Sequence, residues 1–185
     1  YVVARMEFKG KALVNVLLYS TMFIPATALT YPVYNLVNRL HLYDTRSALI
    51  LIYSCSGIAV SFFVIKNYYD NIPRELEEAA KIDGCNSIKT LWYVIVPMLK
   101  PSIVSCALFQ FMWSSNDFMG PLLYVNTPAR YPASIFVKMS MDGDTGFDWN
   151  RVLAMSLISI IPSLIVFFLA QDSFIDGIAA GGVKG

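Results

Sequence analysis

The sequence predicts an all-α membrane protein, and two observations carry that prediction. Of the 185 residues, 56% are hydrophobic and only 15% charged, and the mean hydropathy of +0.54 lies above that of a soluble domain of this size. Four windows, Ala12 to Asn38, Ser47 to Ile65, Pro101 to Asn116 and Val152 to Gln171, contain no Asp, Glu, Lys or Arg. Their lengths approach or exceed the ~20 residues that cross ~30 Å of hydrocarbon as a helix. In that medium the backbone must satisfy its own hydrogen bonds, so each window is expected to be helical.

Taken in order, the chain opens at Tyr1 without an initiator Met. Arg5, Lys9 and Lys11 precede an apolar stretch far longer than a signal-peptide core, so the sequence reads as a piece of a longer protein. The first span is expected at about 12–35, kinked at Pro25 and Pro32, since proline removes a backbone donor inside a helix. A connection holding the single histidine, His41, follows. No Ser, Cys or carboxylate pattern surrounds it that would suggest nucleophilic catalysis. The second span is expected at about 47–67.

The connection from about 68 to 100 is too long and too patterned for a passive loop. Asn71 and Pro73 mark a helix start, and Glu75, Glu77 and Glu78 stand in the first turns, where the helix dipole favours anions. Leu76, Ala79 and Ala80 follow helical spacing; Gly84 interrupts it; Ile88, Leu91, Trp92 and Ile95 resume it. Two short helices with a bend between them are expected. An amphipathic helix resting on lipid headgroups is the alternative, but four acidic residues between positions 75 and 83 oppose contact with anionic lipid.

The third span is expected at about 101–124, with Asn116 and Asp117 inside it. A carboxylate there is costly unless it faces a bundle interior, a wet cavity or a partner. Two readings stand: a structural tie to Asn116 or a neighbouring span, or a lining of the translocation path. Gly120 and Pro121 favour the tie, because they suggest that the helix is already bending. The segment Thr127 to Trp149 is expected to be a surface loop with a short helix around 133–141. In it Asp148 and Trp149 are read as a sugar-stacking pair or, in preference, as an interfacial anchor. The last span is expected at about 151–171, kinked at Pro162, followed by a glycine-rich tail over 172–185.

Alternate connections divide the 14 basic residues. Arg5, Lys9, Lys11, Lys66, Arg74, Lys81, Lys89, Lys100 and Lys184 fall on one side, which is therefore expected to be cytoplasmic. That side is also longer, so its charge density differs little. A net charge of +1, with no basic stripe, excludes nucleic acid as a partner. Cys55, Cys85 and Cys106 lack metal-ligand spacing, so neither a disulfide framework nor a metal site is expected. No catalytic residue is assigned, and no G-x-x-x-x-G-K-[ST] stretch exists to cradle a nucleotide.

Glu77-Glu78-Ala79-Ala80-Lys81-Ile82-Asp83-Gly84, with Pro97 and Pro101 downstream, resembles the EAA loop of binding-protein-dependent ABC importer permeases. The resemblance implies four transmembrane helices of a MetI-like permease bundle. It also implies a cytoplasmic coupling helix that docks on an ATPase subunit through Glu78, Ala79, Ala80, Asp83 and Gly84. Small alanines permit close approach, and a glycine permits a sharp turn. Further matches, Arg5 with Phe8-Lys9-Gly10-Lys11, Ile72 to Leu76, Asn116-Asp117-Phe118 and Gly181-Gly182-Val183-Lys184-Gly185, make the chain similar to the carbohydrate branch and its maltose-type subunit. Relatives commonly place Trp directly before the Asn-Asp pair; here Ser115 stands there and the Trp is Trp113.

The resemblance further implies about two spans ahead of Arg5, and a location in the inner (cytoplasmic) membrane as a multi-pass protein. Its implied partners are a second homologous permease subunit, an ATPase subunit dimer that carries the ATP and magnesium, an extracytoplasmic substrate-binding protein and membrane lipid. The tail at Gly181, Gly182 and Lys184 either frays or reaches the ATPase. Sugar or oligosaccharide import follows. An amino-acid or peptide permease, an ion-coupled carrier or a membrane anchor are the alternatives.

Overall fold

A computed structural model of the chain describes residues 1–139, 141 and 149–182, with side chains described for all of these except 139 and 173–182. Every described element is a helix. They are α1 (Val2–Arg5), α2 (Lys11–Ser20), α3 (Ala26–Arg39), α4 (Arg46–Ser56), α5 (Ile58–Asp70), α6 (Glu75–Ile82), α7 (Ser87–Thr90), α8 (Val96–Asn116), α9 (Met119–Tyr124), α10 (Ala133–Met139) and α11 (Trp149–Gly182). Short 3-10 turns occupy Thr21–Phe23 and Pro128–Arg130, and a π turn occupies Leu91–Ile95.

Three helical stretches are long and apolar enough to cross a bilayer: Arg46–Asp70, Ser87–Asn116 and Trp149–Asp172. The bent pair Lys11–Phe23 and Ala26–Arg39 makes a fourth if counted as one span. The expected single span at 12–35 is thus two helices. Pro25, extended at ψ 132°, stands as N-cap of α3, and its missing N–H and its ring stop the preceding helix from running on. Pro32 is accommodated inside α3, and Pro162 inside α11. The spans leave large apolar side chains outward: Leu157, Ile158, Phe168 and Leu169 of α11 are all exposed. Water would penalise that surface; hydrocarbon does not.

Three boundaries differ from expectation. The span expected to open at 101 is helical from Ser87 onward, because Pro97 and Pro101 fall where a helix tolerates them, the first of them directly behind the π turn. It also closes at Asn116, not at 124, so Asp117 and Phe118 lie in the break before α9 and not within the span. And α11 continues through Gly182, so residues 172–182 are helical backbone and not an irregular tail.

The chain forms two compact units. One comprises residues 1–23, 58–107 and 170–185. Its core is Tyr69, Ile72, Ile95 and Leu99, packed with Ala4, Ile65 and Leu91, while Tyr19 of α2 meets Phe62 and Phe63 of α5. The other comprises residues 24–57 and 108–169. Its core is Val37, Ala48, Leu49, Tyr124 and Val125, which brings α3, α4 and α9 together.

Candidate functional site

The connection between α5 and α8 has the bent two-helix form expected of it. Asn71 is not the N-cap: its Nδ2 donates to the Asn67 carbonyl at 2.9 Å, and Arg74 occupies the N-cap position of α6 without a side-chain capping bond. Glu75, Glu77 and Glu78 occupy the first turn of α6, where free N–H groups favour anions. At its other end Gly84 adopts φ +82°, the left-handed region that favours glycine. There the Cys85 amide donates to the Ala80 carbonyl at 2.9 Å and the Gly84 amide to the Lys81 carbonyl at 3.0 Å. This is a Schellman closure, which satisfies the last carbonyls of α6 and turns the chain. Asn86 then caps α7, its Oδ1 accepting from the Lys89 amide at 2.9 Å.

Of the five residues singled out by the sequence, Glu78, Ala79, Asp83 and Gly84 are exposed, and Ala80 is buried. Ala80 therefore packs within its own unit. Ile82, 87% exposed, and Ile88, 69% exposed, extend the open face on either side of the bend. Small and apolar residues flanked by carboxylates form a surface suited to a complementary protein cleft. Beyond its chain neighbours, a Cβ added at Gly84 meets no atom of this chain within 4 Å.

Asn116 and Asp117, adjacent in sequence, do not pair. Asn116 Nδ2 donates to the Met112 carbonyl at 2.7 Å, one turn back on α8. Asp117 Oδ2 accepts from the Tyr53 hydroxyl of α4 at 2.9 Å, and the carboxylate accepts from the amides of Met119 and Gly120 at the start of α9. Ser134 of α10 donates to the Asp117 carbonyl at 2.7 Å. One residue thus links α4, α9 and α10 at the point where α8 ends. Gly120 must be small, since a Cβ there would overlap Asp117 Oδ2 and stand 3.3 Å from Tyr53 Oη. The same stretch borders an open depression of about 520 Å³ lined by Phe109, Met112, Trp113, Asn116, Asp117 and Phe118.

Three groups of residues escaped the sequence reading. Asp44, at φ +57°, accepts from the amides of Asn126 and Thr127 at 2.8 Å each, from the Thr127 hydroxyl and from Arg130 Nη1 at 2.9 Å. Those bonds hold its carboxyl at about 2, below the ordinary 3.8; the Thr127 hydroxyl contributes most, then the two amides, with Arg130 adding to them. Gln110 Nε2 donates to the Tyr53 carbonyl at 2.9 Å beside Gly57, where a Cβ would overlap the amide. Arg5 and Glu77 form an ion pair at 2.6 Å. Only the αL-tolerant Asp44, among residues of turn-forming type, carried any local signal.

His41, at φ +55°, is exposed. Gly181 and Gly182 end α11, and Lys184 lies outside the described residues. Asp148 also lies outside them, while Trp149 begins α11 with 63% exposure.

Comparison with known proteins places these elements in a family. The trehalose/maltose transport system permease protein MalG of Thermococcus litoralis is 32% identical over 187 residues, covering 100% of this chain and 66% of that protein. The arabinooligosaccharides transport system permease protein AraQ of Bacillus subtilis is 30% identical over 185 residues, covering 100% of this chain and 65% of that protein. Among solved structures, a chain of a bacterial ABC transporter involved in the import of the acidic polysaccharide alginate superposes with a TM-score of 0.77 at 22% identity, covering 94% of this chain and 65% of that chain. That likeness shows the fold. The chain therefore spans a little under two thirds of the length of these relatives. Residues 1–173 match the family described as the binding-protein-dependent transport system inner membrane component, and the chain belongs to that family.

Proposed function

We propose that this chain is the permease part of an ATP-driven importer that carries a sugar or oligosaccharide across the inner membrane. The observation that carries the proposal is the α6–Gly84–α7 bend, with Glu78, Ala79, Ile82 and Asp83 exposed beside it. On this reading the exposed face docks on a separate ATPase subunit, which holds ATP and magnesium; this chain binds no cofactor. ATP-driven closure of the ATPase dimer displaces α6, and the spans alternate between inward and outward opening. A second homologous permease subunit completes the pore, and an extracytoplasmic binding protein delivers cargo. The end of α11, at Gly181 and Gly182, is a second surface for the ATPase. Asp117 serves as a structural tie, a role supported by its bonds to Tyr53 and to the start of α9.

The sugar assignment is supported by relatives named for trehalose/maltose and arabinooligosaccharide transport. The test is reconstitution with the second permease subunit, ATPase and binding protein. ATP hydrolysis should accelerate when an oligosaccharide-loaded binding protein is added, because only a ligand with differential affinity for the two states shifts their balance. Stimulation by peptide- or amino-acid-loaded protein alone would remove the sugar claim. Absence of any stimulation in an assembled complex would point to an anchor without transport. Orientation is checked separately: a membrane-impermeant thiol reagent should reach Cys85 in inside-out vesicles and not from outside intact cells.

A further inference from the structure

Glu77 stands on the exposed α6 helix but is buried, whereas its neighbour Glu78 is exposed. Glu77 is 6% exposed. Its Oε1 accepts from Arg5 Nε at 2.6 Å and from the Tyr69 hydroxyl at 3.0 Å. Arg5 Nη2 donates to the Ile72 carbonyl at 2.6 Å, and the guanidinium lies 4.6 Å from the centre of the Tyr69 ring. The Arg5 and Glu77 side chains are only 11% and 8% exposed. One carboxylate thus joins α1, the end of α5 and the first turn of α6.

The covalent link between α5 and α6 is only Asn71 to Arg74. On the inward face of α6, Ala80 is the other buried residue, one turn beyond Glu77, and it offers little side chain to hold. A lever must be stiff where it joins the body it moves. A buried ion pair adds little net stability over an apolar substitute, but it fixes geometry, and removing one partner leaves a costly uncompensated charge.

We propose that the Arg5–Glu77 pair, completed by Tyr69, is the positioning clamp that makes α6 move as one piece with α1 and α5. Displacement at the exposed face of α6 then reaches the spans and is not absorbed by swivelling at Asn71 to Arg74. The proposal rests on the reading of α6 as the ATPase-docking element, and its test separates the two.

The variants are Glu77→Gln, which keeps an acceptor for Tyr69 but removes the charge, Arg5→Glu, and the swapped pair Arg5→Glu with Glu77→Arg. With Cys55, Cys85 and Cys106 replaced by Ser, a nitroxide at Lys81→Cys, an exposed position on α6, reports the mobility of that helix in the full assembly and in the permease subunits without ATPase. Both single variants should loosen the label, with the loosened fraction rising on the order of a hundredfold, as expected when one member of a buried pair is left alone. The swap, which can re-form the ion pair but not the bond to the Ile72 carbonyl, should restore it in part, and a swap as loose as the single variants would count against the pair. In the full assembly the single variants should retain the ATPase on co-purification while uptake per ATP hydrolysed falls at least about tenfold. A label that stays immobile in both single variants overturns the clamp. So does loosening with an unchanged uptake-to-hydrolysis ratio. If the unaltered chain fails to hold the ATPase at all, the docking reading falls, while the label still decides whether the clamp exists.

Discussion

Replacing Gly84 separates two reasons for a glycine in the bend. Its φ of +82° is one that other L-residues adopt at a cost of about 1–2 kcal/mol, with Asn paying less because its side chain bonds locally. Beyond its chain neighbours, no atom stands within 4 Å of an added Cβ, so Gly84→Ala meets no steric cost there beyond that backbone term, while Gly84→Val adds the larger left-handed penalty of a β-branched residue. The local equilibrium of the closure, carried by the Cys85–Ala80 and Lys81–Gly84 bonds, should therefore shift about 5- to 30-fold toward open. The chain should stay folded. Amide exchange at Cys85 reads this shift directly: faster in the Ala and Val variants, near the unaltered rate in Gly84→Asn. Uptake in the reconstituted importer then assigns the cause. Loss in Val and Ala with retention in Asn makes the left-handed turn the requirement; loss in all three makes close approach of a partner the requirement. Unimpaired uptake in Gly84→Val, or unchanged exchange at Cys85 in that variant, would refute the reasoning.

The Asp44 carboxyl, held at about 2 in the folded chain and near 3.8 when free, stabilises the Asn126–Arg130 loop fully above pH ~4; that contribution fades as pH falls through about 2. Hydrogen exchange at the Asn126 and Thr127 amides should accelerate in Asp44→Ala at neutral pH, and equal rates in the variant and the unaltered chain would reject the assignment. Tyr53→Phe removes one donor to Asp117 and should lower stability in detergent by about 1–2 kcal/mol. Asp117→Asn keeps one of the two acceptor oxygens, so it retains either the Tyr53 bond or those from the α9 amides and should cost less than Asp117→Ala; equal losses would mean that these bonds are not what matters there.

What the sequence disclosed depended on the distance over which the deciding force acts. The membrane class was readable because charge-free windows are one-dimensional, and the bend was readable because glycine is itself the local cause. The Arg5–Glu77 pair was not, since its members are 72 positions apart and nothing local marks either as buried. Glu77 and Glu78 look alike in the sequence, and only the fold tells which faces in. The end of α8 at Asn116 was missed because Asp117 acts as acceptor for the next helix, a role that an apolar window does not advertise. The apolar period through Ile88, Leu91, Trp92 and Ile95 misled for a different reason. Ile88 and Trp92 are exposed, whereas Thr90 and Ile95 are both fully buried.

Thr90 and Ile95 are five positions apart, and the π turn lies between them. Beyond it the buried positions Leu99, Ser102 and Ser105 return to steps of four and three. One additional residue in the turn rotates whatever precedes it by about 100° relative to a continuous α-helix. Deleting a single residue between Leu91 and Val94 would leave Thr90 and Ile95 four apart, so an ordinary helix would form with α7 and the Gly84 bend facing as before. Inserting a further residue that the turn does not absorb would swing both about that axis by the same angle. The direction in which the bend faces therefore depends on one residue being taken up in the π turn, and substitution scanning passes over information of that kind; a tolerated deletion beside a harmful insertion exposes it.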